Sequence, residues 1–361
     1  INERIKYIMP NYTTINKSTD HFNTKLYTST GNDNLAITGV GFEADLTWIK
    51  KRAVVSGSNT NEAHMWADQV RGANYYLNSS STAANASSSV DLKSWQSDGF
   101  TLGTNNRVNQ GSTPHTYASW NWKAGGGQGS SNTDGSINTT YTSVNTTAGF
   151  SISTYTGTGS NATVGHGLGV APKMIIVKQL NSTNYWTVYH KSLSANSWVY
   201  LNTTDAVASN TAMWNNTEPT SSVFSIGTYT NTNQSGSTYI AYCFAEKTGY
   251  SKFGKYQGAS STNGAFIYTG FKPTFFMAKC IDNAENWYIF DNKRLGYNVE
   301  NAQLYADTES SEATTDYADI LSNGVKYRYN SVGLNGSSNN YIYMAFGQSL
   351  VGSNNVPCTA R

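Results

Sequence analysis

Apolar and polar positions alternate with period two along much of the chain. In YIAYCFAE, Tyr239, Ala241, Cys243 and Ala245 fall on one side, and Ile240, Tyr242 and Phe244 on the other. Both sides are largely apolar, as expected of a strand covered on its two faces. Apolar runs of about five to eight residues bounded by Gly, Pro and Asn recur throughout, and runs so short read as strands, because a helix needs ten or more. A few short helices are compatible with the pattern, one near Tyr317 to Leu321.

The runs come in one order, three times. GFEADLTWIK (Gly41 to Lys50), GVAPKMIIVK (Gly169 to Lys178) and GFKPTFFMAK (Gly270 to Lys279) share a glycine, a turn, an apolar run and a lysine at fixed spacing. An aromatic strand and a polar turn follow: MWADQVRG with YYLN, WTVYHKS with WVYLN, and WYIFDNKR. A turn with an apolar exit is third (SDGFTLG, SSVFSIG, SNGVKYR), and an aromatic strand closes each set (YASWNWKA, YIAYCFAE, YIYMAFGQ). A motif recurring within one chain is architecture before it is a site. The expected fold is all-β, with three tandem β-sandwich or jelly-roll-like units of roughly a hundred residues.

Composition places the boundaries. Lys123 to Asn145 opens as a Gly/Ser stretch and continues in Thr-rich alternation that can add a strand. The predicted organisation is an arm at 1–21, a first unit at 22–124, a linker at 125–149, units at 150–249 and 250–349, and a tail at 350–361. Arm and tail either fray or dock on a partner. Position 1 is Ile, and Met9 is a candidate natural start.

Only 13% of the residues are charged and the net charge is +2, so the solvated surface is hydroxyl and amide. No basic block offers a footprint for nucleic acid. No apolar run approaches the roughly 18 residues that span a bilayer, and no leader is read at the start. Cys243, Cys280 and Cys358 lie far apart without a CxxC pair, and the first two, set among apolar strand residues, read as buried small hydrophobes.

Candidate chemistry is sparse. The run Gly165-His166-Gly167-Leu168-Gly169 precedes Pro172 and a strand rather than a helix, so it reads as a turn and not as a phosphate loop. His21, His64, His115, His166 and His190 form no metal-binding pair, and neither metal nor cofactor is expected. His190 occupies the slot of Asp68 and Asp291 in the other units, a slot suited to capping a turn. Asp45, Asp68, Glu246, Asp291 and Asp316 show no pairing of the kind glycosidase chemistry needs. Lys50, Lys178 and Lys279 each end the same strand, and with Gly41, Gly169 and Gly270 define the unit. The expected role of these lysines is to lie over aromatic surface with the ammonium in water, an inter-subunit salt bridge being the alternative. Aromatic rings beside amides and hydroxyls suit sugar faces. Trp95 and Trp214, in polar loop sequence, are the expected exposed pair, with Trp66, Tyr75 and Tyr76 as further glycan- or partner-binding candidates.

STDHFNTKLYTSTG, ITGVGFEADLTWIK, DGFTLG, ATVGHGLGVAPKMIIVK, YIAYCFAE and YSKFGKY carry a resemblance to a family from marine tailed bacteriophages. Those proteins contain a domain of unknown function and are described as virion structural or tail-fibre proteins. The resemblance runs from about Met9 to the C-terminus; the third unit departs most, lacking the GLG turn. It brings no catalytic residues. It implies a non-enzymatic structural protein of a virion appendage, a tail fibre, spike, head fibre or decoration, assembled in the bacterial cytoplasm. The partners it implies are other virion proteins, further copies of the chain, with a trimer favoured, and host-surface glycan. A tail polysaccharide depolymerase and a cellular lectin or adhesin module are the alternatives.

Overall fold

A computed structural model describes residues 13–52, 62–111, 113–294, 298 and 300–352. It is all-β, with 43% of residues in strands and 6% in helices. Four strands recur with one pairing order. The opening strands are Phe22–Thr28, Phe150–Thr156 and Ser251–Gln257. Each pairs with a closing strand: Thr116–Trp122, Thr238–Phe244 or Asn340–Gln348. The closing strand pairs with a lysine strand: Leu46–Lys51, Met174–Gln179 or Lys272–Cys280. The lysine strand pairs with a fourth strand: Met65–Asp68, Thr187–His190 or Trp287–Asp291. All these ladders are antiparallel. Tyr317 to Leu321 is not helical: it belongs to strand Ala313–Leu321, whose pairing with Gly324–Tyr327 overrides the local pattern. The Thr-rich end of the expected linker adds strand Tyr141–Asn145 to the second unit.

Gly41, Gly169 and Gly270 adopt φ of 95°, 72° and 83°. This left-handed region penalises any Cβ, which explains a glycine at the same place in each unit.

The two faces of each main sheet are covered by different partners. Outward, Tyr239, Ala241 and Cys243 pack in a core belonging to the second unit, and the first and third units have counterparts. Inward, Ile240, Tyr242 and Phe244 join one central core fed by all three main sheets. At its middle the equivalent residues Trp122, Phe244 and Phe346 form a triangle, with ring centroids 6.3, 5.8 and 6.1 Å apart.

The contacts between units close a ring. Lys50 donates to the carbonyl of Glu309 in the third unit, Lys178 to that of Thr82 in the first, and Lys279 to that of Thr204 in the second. The expectation of water-exposed lysines is therefore corrected: all three are fully buried. Each also donates to a carbonyl of its own unit, at Glu62, Gln179 and Glu285. Two acceptors per ammonium make burial tolerable. The cost remains visible, since burial draws Lys178 down to about 7 and Lys50 and Lys279 to about 8.

The arm also docks. Ile15 enters the central core. Ser18 N–H donates to Gln348 Oε1, and Gln348 Nε2 donates to the Asn16 carbonyl, at 2.8 and 3.1 Å.

Candidate functional site

Most polar side chains that attract notice in the sequence are occupied by the fold. Asp68 accepts from Arg71 N–H and Nε at 2.9 and 2.6 Å, and from Tyr242 of the second unit at 2.7 Å. Asp291 accepts likewise from Arg294 N–H and Nε, and from Trp120 of the first unit at 2.9 Å. His190 Nδ1 accepts from Ser192 N–H, so this slot caps a turn in all three units, as read from the sequence. Its Nε2 meets the Tyr343 carbonyl at 3.1 Å. In this second unit Leu193 replaces the arginine, and in the third unit Met344 replaces the aromatic donor. Without the carboxylate the contact between units passes to the backbone, from His190 Nε2 to the Tyr343 carbonyl.

Among the described residues burial raises the proton affinity of three carboxylates, Asp45, Asp91 and Asp307, and none of the three adds to the rise of another. Burial pushes Asp45 up to about 6 although Ala124 N–H donates to it, and Asp307 up to about 7 beside Trp287 N–H.

The tryptophans proposed as exposed are not. Trp214 and Trp66 are each 1% exposed, in the second unit's core and the central core. Trp95 is half-buried against the first unit's core. The polar sequence neighbours of Trp95 and Trp214 misled, because the fold supplies apolar partners from elsewhere, as strand residue Tyr189 does for Trp214 at 5.9 Å. Tyr75 and Tyr76 part company: they sit in a two-stranded ribbon with Ala86 and Ser87. Alternation turns Tyr76 inward beneath the Arg107 guanidinium, 4.0 Å from the ring centre, and leaves Tyr75 43% exposed.

Tyr75 lines a groove of about 450 Å³ between the first and second units. Tyr141, 37% exposed, on the strand added by the Thr-rich stretch, lines it too. Amides of Asn85, Gln128 and Asn181 and hydroxyls of Thr140, Thr154 and Thr238 complete the lining with Val70, Leu180, Tyr155 and Arg71. The Thr154 hydroxyl has no protein partner. Arg71 is the one cation of the lining, and Asp68 neutralises it at 2.6 Å. Its Nη1 holds the Asn85 amide oxygen at 2.8 Å, which leaves the Asn85 NH₂ as a donor. The groove thus offers two ring faces and neutral hydrogen-bonding groups without a free charge. Tyr141 and Gln128 lay in sequence read as linker; a lone tyrosine in TTYTSVN was the available signal.

A family model described as a domain of unknown function, DUF7483, matches residues 17–349. The chain belongs to the DUF7483 family. No curated protein matches it. The matched span of the DUF7483 domain contains all three units, the groove, and the part of the arm from residue 17 onward. Among its described residues, no helix is long and apolar enough to cross a membrane.

Proposed function

We propose that the protein is a non-catalytic binding and structural component of a bacteriophage particle, and that its groove takes an uncharged glycan of the host surface. The observation that carries the glycan reading is that exposed Tyr75 and Tyr141 line one mainly apolar groove together with uncharged amides and hydroxyls. An aromatic face covers the C–H face of a sugar while amides meet its hydroxyls. The absence of a free charge in the lining matches a neutral ligand. The virion setting rests on the resemblance of the sequence blocks. The closed ring suits a particle surface, because each main sheet is already covered on both faces within one chain; a homotrimer, if formed, would use other surfaces.

The test is binding of the full chain to immobilised neutral and acidic glycans, with antibody labelling of intact particles. Neutral glycans bind, and Tyr75→Ala and Tyr141→Ala each lower affinity by roughly tenfold or more at unchanged melting temperature. Binding indifferent to both substitutions removes the groove from the proposal, and unlabelled particles remove the virion.

A further inference from the structure

A second depression shares Tyr75 with the groove. It measures about 610 Å³ and is walled by Ala73, Asn74, Ser87, Ser88, Ser89 and Val90. Tyr75 lines both this depression and the groove described above. The ribbon that carries it is anchored on each side. Asn74 N–H donates to the Leu92 carbonyl at 3.1 Å, Ser88 N–H donates to the Asn74 carbonyl at 2.7 Å, and Tyr76 is pinned under Arg107. Asn85 N–H donates to the Leu180 carbonyl at 2.8 Å, tying the same segment to the second unit. Tyr75 therefore borders both depressions from an anchored ribbon, and is not the tip of a free loop.

The second depression is uncharged like the first but mainly polar where the first is mainly apolar: three serines, one amide, no ionisable group other than the shared tyrosine, and Val90 at 42% exposure. Each depression falls within the roughly 300–1,000 Å³ of ordinary ligand sites.

We infer that the two depressions are subsites of one binding path, and that the ligand is an extended, uncharged oligosaccharide passing over Tyr75. One sugar stacks on that ring, with neighbours in the Tyr141 groove and in the serine-lined depression. This inference rests on the glycan reading of the groove.

Calorimetric titration of the full chain with neutral gluco-, manno- and galacto-oligosaccharides, from disaccharide to octasaccharide, tests it. Affinity rises by roughly tenfold or more with length. Ser89→Trp, which fills the second depression, abolishes the gain while disaccharide affinity stays constant; Ser89→Ala, which fills nothing, keeps it. Tyr141→Ala weakens short and long ligands together. Length-independent binding, or a gain that survives Ser89→Trp, overturns the two-subsite inference and leaves the single-groove reading standing. If no member of any series binds, both fall.

Discussion

The Lys178 ammonium donates to the Thr82 carbonyl at 3.2 Å, across the seam between the second and first units. Burial, aided by the nearby Arg71 charge, lowers its proton affinity to about 7, against the usual 10.5 for lysine. The unfolded chain therefore binds more protons than the folded one between about pH 7 and about pH 10, so stability rises with pH across that window. Lys50 and Lys279, at about 8, act in the same direction. Buried tyrosines such as Tyr242, whose hydroxyls are pushed upward, reverse the trend above about pH 10. Calorimetric melting at about pH 7 and pH 9.5 should show the rise, and Lys178→Met should reduce it by roughly 1–3 kcal/mol. An unchanged slope in the variant contradicts the lowered proton affinity of Lys178 in the folded chain.

The Asp291 and Arg294 pair is completely buried, with Trp120 of the first unit donating to the same carboxylate. Asp291→His removes one of two carboxylates on the guanidinium, Glu312 remaining at 3.1 Å, and should cost up to the roughly 3–5 kcal/mol of a fully broken buried pair. The second unit uses His190 with Leu193 at these positions, so adding Arg294→Leu to Asp291→His should recover at least half of that loss. Denaturant titration of the wild type, the two single variants and the double variant measures the coupling. Simple additivity sinks the idea that the two residues exchange as a set.

Trp122, Phe244 and Phe346 touch at the centre of a core shared by all three main sheets. Phe244→Ala should destabilise by roughly 3–5 kcal/mol. Because the cavity faces every unit, the whole chain should still melt in one transition, at lower temperature. Separate calorimetric peaks for separate units would contradict a common core.

Exposure distinguishes rings that bind from rings that hold the fold. Tyr141→Ala should leave stability within about 0.5 kcal/mol, whereas Trp214→Ala, buried against Tyr189 at a centroid distance of 5.9 Å, should cost roughly 3–5 kcal/mol. Urea unfolding of the two variants reads the difference directly.

Much of this was legible in the residues because it depends on local backbone geometry. Side chains alternate across any strand, so YIAYCFAE announced two covered faces, and the structure places Tyr239 and Tyr242 in different cores accordingly. The turn-capping slot at Asp68, His190 and Asp291 was equally local. Trp95 and Trp214 misled for the opposite reason: a polar neighbourhood in sequence says nothing about which distant residue covers a ring in space, as Tyr189 does for Trp214. Alternation also predicts that Tyr75 and Tyr76 point opposite ways, but not which of them is outside.

The sequence by itself determined strands, their order, the glycines at their turns and a lysine at one place in each unit, since each follows from the chain within a few residues. The tertiary structure alone decided that the units close on one another and that each lysine is buried. It alone opened a neutral groove where the first and second units meet. Those outcomes turn on which distant carbonyl or ring fills the second face of a sheet, as Thr82 does for Lys178. No pattern confined to one strand carries that information.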